Sequence, residues 1–488
     1  MNTKILKNLL TSLSFIGAAI FFSYLGQNLE SNGYIKESCL NAEPISKKLI
    51  CFAQRINRRI DFEIDLFLKR LRITKKGILT ANRVQILSNL DRFKEYKSGF
   101  DFSYLPEKGS KKGYLLLSRI DPNLNVPRIE LWDLTQQRNI HEWKIDVNKI
   151  IKENKLVEKA DENALRFLHP LLLDDGSLIT HPMPEINNFK TPILKFNYCG
   201  ILTIFKEDGL GYHHSIENDK EGNIYVPTAS IPSRSEYFSN YESFPDNYRN
   251  EGIAILDKDL FLKEVLPLDK IFHSVGLLNY INAPHSQFKL DPYHLNDIHP
   301  YKDDNQDLNL LLSLRYFGLI SYNYNKRKVN WISRGLTQKQ HDITPYLGSK
   351  NIFTVFDNGS KFNHPTESFK GNTIVKIEFP KIINERPIVI FGETPKLNNV
   401  KITRYDFTIL DKELIPYTAT EGRGRFIDKY RIFIEETNNG RAFVFNINSN
   451  KLEWSYINKG ENGLSSYLGW SRYLEKIPDV MKRKKSCP

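Results

Sequence analysis

Four histidines head stretches of similar pattern in this chain. His169 opens "HPLLLDDGSLIT", His214 opens "HSIENDKEGNIYV" and His341 opens "HDITPYLGSKNIFTV". In each, Leu or Ile follows two positions on, a glycine comes seven or eight positions on, and a strand-like run begins. His294 opens a looser copy, "HLNDIHPYKDDNQDLNLLLSLR", which ends on Arg315. An imidazole with an ordinary pKa of about 6.5 is neutral near pH 7, where it can act as a nucleophile or carry a proton. An arginine offers a planar fork that binds two oxygens of one anion. Together these types suit the transfer of an anionic group, which needs a nucleophile, a fixed cation and a proton carrier. A lone histidine more often satisfies a buried carbonyl, and Arg315 read alone is as readily a partner for a carboxylate of its own blade. The shared register argues for the set acting together.

The spacing says what must position these residues. His169 and His214 are 45 residues apart, and His294 and His341 are 47 apart. Between His214 and His294 the gap is 80, with "SIPSRSEYFSNYESFPDNYRN" as an insertion. A period near 45 is about one four-stranded propeller blade. In a propeller, equivalent positions of successive blades converge on the central channel, so histidines in one register would face one locus. From about residue 100 onward, short β-rich runs such as "KGYLLLSRI", "GNIYVPT" and "RAFVFNI" alternate with Asp, Asn and Gly. No helical run intervenes, so an all-β body is predicted over residues 96–488. Tyr237 and Tyr241, in the insertion, are candidates to stack on a planar substrate, alongside Phe238, Phe244 and Tyr248. His213 and His299 read as solvated neighbours, and Asp357-Asn358-Gly359 as a turn.

The chain has 488 residues, a net charge of +12 and 40% hydrophobic residues. The basic residues crowd into Ser46–Lys76, outside the β-rich part, and no nucleic-acid reader motif accompanies them. This excludes nucleic acid as a partner. Residues 31–95 read as a basic helical stalk. Before it, residues 1–30 read as a signal anchor or signal peptide: Lys4 and Lys7 precede the uncharged Leu9–Gly26, and the lack of a small-residue cleavage site favours the anchor. The body is therefore expected to be exported and held at the membrane. Cys39, Cys51, Cys199 and Cys487 form no Cys-x-x-Cys pair and suggest neither a zinc site nor a disulfide framework, although Cys39–Cys51 could bridge in an oxidising compartment. A homodimer is left open.

No P-loop, dinucleotide glycine fingerprint, Gly-x-Ser-x-Gly or His-Glu-x-x-His occurs, so no cofactor is expected from these motifs. A metal-dependent propeller hydrolase or lactonase is the first alternative. It would gather His213, His214, His294, His299 and His341, whose spacings match no compact ligand motif. A ligand-binding propeller without turnover is the second.

Several ordered stretches resemble the bacterial arylsulfotransferase family that works without phosphoadenosine phosphosulfate. They are "GYHHS" (Gly211–Ser215), "DPYHLN" (Asp291–Asn296), "LLLSLRYFGLISYNYNKRKVNWISRG" (Leu310–Gly335) and "QHDITPYLGSKNIFTVFDNG" (Gln340–Gly359), with "IELWDLTQQRNIHEWKID" (Ile129–Asp146) as an early blade. The resemblance implies a six-bladed propeller that moves a sulfuryl group from a phenolic sulfate ester to a phenolic acceptor through a sulfohistidine. It implies His341 as the nucleophile, with His214, His294 and Arg315 around the sulfuryl group and Asn296 on the substrate. Because the histidine spacings match no ligand motif, no metal is expected, and no cofactor either.

Overall fold

The computed structural model divides the chain into two units, Met1–Gln85 and Ile86–Pro488. It describes residues 92–103, 113–154, 165–183, 191–230, 249–276, 293–359, 371–380, 388–391, 399–418, 420–483 and 487, all in the second unit. The anchor, most of the stalk, Tyr237 and Tyr241 lie outside the described residues. Among the described residues no helix is long and apolar enough to cross a membrane.

The described residues build six sheets of four or five strands, the blades of a six-bladed propeller. Blade 2 spans Arg166–Leu172 to Leu202–Lys206, blade 4 spans Leu295–Lys302 to Lys328–Arg334 and blade 6 spans Arg423–Phe426 to Lys451–Ile457, each through four consecutive strands. Blade 5 spans His341–Pro345 to Lys401–Tyr405, and the strand Ile388–Phe391 that precedes its last one pairs with blade 4 instead. The innermost strand of blade 3 is split into Gly211–Tyr212 and Glu217–Asn218, and the break between them contains His213 and His214.

The ring is closed from both ends of the propeller. Arg472–Leu474 supplies the innermost strand of blade 1, pairing Tyr114 with Leu474. Gly99–Asp101 adds to the outer edge of blade 6, pairing Gly99 with Ile457. The ladder bonds that close the ring thus hold both ends of the propeller segment. The turn just before Gly99–Asp101 is also held, since Arg92 bonds Glu436 at 2.6 Å and Phe93 is fully buried.

Each blade packs between two others, so both faces of its middle strands need apolar residues. This explains runs without alternation such as Leu310-Leu311-Leu312, all fully buried. Leu310 and Leu312 face Ile253 and Ile255 of blade 3, whereas Leu311 faces Ile343, Phe353 and Val355 of blade 5. Fully burying such a side chain contributes roughly 1.5–3 kcal/mol relative to exposure. The outer hairpins turn on aspartates, as where Asp121 Oδ1 accepts the N–H groups of Asn123 and Leu124.

Cys199 and Cys487 form a disulfide, which corrects the expectation of no disulfide framework. The two cysteines are 288 residues apart, a separation that no spacing rule connects. The bridge ties the chain end, beyond the strand that closes blade 1, to the turn between Ile193–Phe196 and Leu202–Lys206 of blade 2.

Candidate functional site

The inner strands place three of the four histidines at one backbone position of their blades, and His341 one residue before it. At the top of every blade one residue takes a positive φ: His169, His214, His294, Asp342, Gly422 and Trp470, with values from 50° to 59° for the histidines and Trp470. For residues other than glycine this conformation costs about 1–2 kcal/mol. Side chains that reach from one blade to the next hold it in place. His169 Nδ1 accepts the Ile216 N–H at 2.9 Å, and Ser215 Oγ accepts that of Ile298 at 3.0 Å. Asp297 Oδ2 accepts that of Ile343 at 2.8 Å, and Asp342 Oδ2 accepts that of Gly424 at 2.9 Å. Glu435 takes the N–H groups of Trp470 and Ser471, and the His169 N–H donates to Gly469, which completes the circuit.

Three of the four histidines meet. The ring centroids of His214 and His294 are 5.2 Å apart and those of His214 and His341 are 6.3 Å apart. His169 does not join them. The Trp470 indole, its centroid 5.7 Å from each of His169, His214 and His341, stands among them. His169 belongs instead to a buried charge network. Its Nε2 lies 3.3 Å from Glu217, which Arg472 grips with two 3.0 Å bonds, and Arg423 bonds Asp342 at 2.6 Å. The arginines offset the cost of burial and hold the Glu217 carboxyl down at about 2. Asp297 faces Asp342 and Glu217; burial and these like charges push its carboxyl well above the usual range.

The tautomer of His341 follows from its neighbour. Asn358 Nδ2 donates to the carbonyls of Thr418 and Glu421, both at 2.8 Å. That directs Asn358 Oδ1 at His341 Nδ1, 2.7 Å away. The oxygen can only accept, so Nδ1 carries the proton and Nε2 keeps its lone pair. Nε2 has no hydrogen-bond partner among the described residues. Burial, with Arg315 adding to it, pushes the ring well below its usual pKa and keeps it neutral. His341 is fully buried, His214 is 8% exposed and His294 is more open, so access runs past the outer two rings.

Arg315 sits at the end of Leu308–Leu314, where its N–H donates to the His294 carbonyl at 2.9 Å. Its Nε has no partner, and among the described residues no carboxylate lies within ion-pair distance. The simple pairing with a blade carboxylate is thus absent there. Asn296 is fully buried; its Nδ2 donates to the Gln340 carbonyl at 2.7 Å and its Oδ1 has no partner. It therefore braces the residue just before His341.

His213 is not a solvated neighbour. It is 1% exposed, and its Nδ1 lies 2.7 Å from His214 Nδ1. Its Nε2 lies 3.5 Å from Glu251, which pairs with Arg249 at 3.0 Å. His213 thus bonds His214 from behind and lies near the Glu251 carboxylate without a hydrogen bond to it. His299 is also turned inward, with its Nδ1 buried. The Asp-Asn-Gly stretch does more than turn the chain: Asp357 ends a strand, and Asn358 orients the imidazole. Among the described residues no group of His, Cys, Asp or Glu has the arrangement of a metal site.

The family model for arylsulfotransferase (ASST) matches residues 197–459, more than half of the chain. This chain belongs to the arylsulfotransferase family. The matched segment contains His214, His294, Arg315, His341 and Asn358, the residues that meet at the channel top. No curated protein matches the chain. Solved structures with a similar chain path include the nidogen/laminin complex, at 9% identity and TM-score 0.38 over 75% of this chain and 100% of that one. A protein of unknown function from Dyadobacter fermentans DSM 18053 has 10% identity and TM-score 0.33 over 76% and 99%. At these values the likeness says nothing of activity. What the ASST chain adds beyond its motif histidines is the supporting layer of Asn358, Gln340, His213 and Glu251. His213, Gln340 and Asn358 lie in the motifs that carry the resemblance, but their partners, and Glu251 altogether, come only from contact distances.

Proposed function

We propose that the chain transfers a sulfuryl group from a phenolic sulfate ester to a phenolic acceptor in two steps through His341. The observation that carries this reading is the locked imidazole: neutral, protonated at Nδ1 by its bond to Asn358, with the Nε2 lone pair unengaged beside Arg315.

In the first step the Nε2 lone pair attacks sulfur, and the sulfur–oxygen bond to the aryl group breaks. The electron pair leaves on the phenolate oxygen. The transition state should be loose, by analogy with phosphoryl transfer, with charge on the non-bridging and leaving oxygens. Arg315 faces those non-bridging oxygens as a fork, and such a donor can lower the barrier by roughly 3 kcal/mol. The positive charge that develops on the ring is stabilised through Nδ1–H by Asn358. In the second step an acceptor phenol loses its proton to a histidine and attacks sulfur, and the sulfur–nitrogen pair returns to Nε2.

His214 is the better candidate for the proton because His213 and Glu251 stand behind it. In the free site burial holds His214 neutral. An entering sulfate ester brings the opposite charge that favours its protonated form. The family membership supports phenolic substrates.

The same reading extends to location. A disulfide persists in oxidising compartments, which together with Leu9–Gly26 supports an exported body held by an uncleaved anchor. Fractionation with membranes and protection from protease in intact cells are the expected results.

Donor alone should release one phenol per enzyme in a burst, and a peptide containing His341 should gain a sulfuryl mass that acceptor removes. With both substrates the double-reciprocal lines should be parallel. Intersecting lines, or a label on His214 or His294, would overturn the assignment.

A further inference from the structure

Two residues before His341, the chain makes a turn that the transfer chemistry described so far leaves unused. Lys339 is only 6% exposed, and its backbone is in the left-handed region at φ 53°. Both flanking residues are pinned. The Gln338 N–H donates to Asp357 at 2.8 Å. The Gln340 amide donates to the carbonyls of Leu314 and Gly318, at 2.7 and 3.1 Å, which flank the turn bearing Arg315. The loop that carries Lys339 is thereby clamped against the loop that carries Arg315.

A buried lysine normally has a carboxylate. Among the described residues Lys339 makes no ion pair and no side-chain hydrogen bond, and Arg315 has no carboxylate partner either. The charged group that acts on Lys339 is Arg315, from the facing turn. On its own side, His341 is neutral, and Asp357 bonds Gln338 and pairs with Arg404 at 2.5 Å. Two cations brought together without a counter-charge repel each other, and an anion between them relieves that repulsion.

We propose that Lys339 is the second cation of the anion pocket, binding with Arg315 the sulfuryl oxygens of the group that His341 receives. The identity of the anion rests on the transfer reading; the pocket itself rests on the paired cations. Arg315 supplies a fixed fork for two oxygens, and Lys339 a point charge that titrates. Burial and the Arg315 charge lower the Lys339 ammonium to about 8, so the pocket should weaken as the pH rises through that value.

Inorganic sulfate binding to the full chain, followed by calorimetry at constant ionic strength, tests this. Wild-type affinity should fall as the pH rises through about 8. Lys339→Gln should bind sulfate about tenfold more weakly at pH 7, with no further fall through that range. Lys339→Arg should keep the pH 7 affinity and hold it above pH 8, which also guards against a Gln variant that fails to fold. Unchanged sulfate affinity in Lys339→Gln, or no sulfate binding by the wild type, overturns the proposal. A phenol burst from an aryl sulfate decides the transfer reading separately. If sulfate binds as expected and no burst occurs, the transfer reading falls and the anion pocket stands.

Discussion

His169 Nδ1 accepts the backbone N–H of Ile216 at 2.9 Å, so the first histidine of the register spends its lone pair across a blade boundary. Its Nε2 is taken by the Arg423 guanidinium, with Glu217 3.3 Å away. Neither nitrogen is left for chemistry. His169→Ala should lower stability by about 1–3 kcal/mol, the range for a buried group that loses its partner. The sulfated-peptide label should stay on His341. Thermal melts and peptide mass after donor treatment check the two halves. A variant that melts normally but no longer takes up label would place His169 in the chemistry.

Asn358 is expected to matter for rate rather than for donor affinity. Without its Oδ1 the His341 ring is free to take the other tautomer, with Nε2 protonated. Asn358→Ala should lower kcat by about 10²-fold or more, with KM for the donor moving far less. Steady-state kinetics on a chromogenic aryl sulfate, beside a melt to confirm folding, measures the split. Equal effects on both constants would make Asn358 a binding residue instead.

Arg315→Lys should keep the fold and lose most of the turnover. A lysine restores the charge but cannot span two oxygens. The expected loss is about 10²-fold in kcat/KM. A variant with full activity would remove Arg315 from the site.

Stability should fall as the pH drops below about 6.5. His169, His213, His214 and His341 all have depressed affinities for protons in the fold, with burial as the leading cause. The unfolded chain therefore binds more protons than the folded one once the pH falls through the ordinary histidine value. Each group contributes a slope of up to about 1.4 kcal/mol per pH unit. The melting temperature should decline from pH 7.5 to 5.5, and His341→Asn should flatten the decline. A melting temperature that rises on acidification would contradict the neutral state of these rings.

Breaking Cys199–Cys487 should destabilise the ring closure without touching the channel. Cys487→Ser should cost about 2–5 kcal/mol, seen as a lower denaturant midpoint, with turnover at low temperature unchanged. A loss of turnover in the folded variant would mean that the chain end reaches the site.

The all-β class and blade period were legible because each blade repeats one local plan. Apolar runs, Asp-Asn-Gly turns and a histidine at the strand head are patterns of neighbouring residues. The same repetition hid the difference between His169 and His341, which look alike in sequence. What separates them is the partner that the next blade presents: a backbone N–H for His169, the Asn358 amide for His341. The approach of His213 to Glu251, the meeting of Arg315 with Lys339 and the bridge between Cys199 and Cys487 likewise join distant segments. Motif order carried the nucleophile and its neighbours, since the family's residues stand in sequence along successive blades. Tautomer, protonation state and unpaired charge came only with tertiary structure. They are set by burial and by atoms a few ångströms away, and ring closure alone decides which atoms those are.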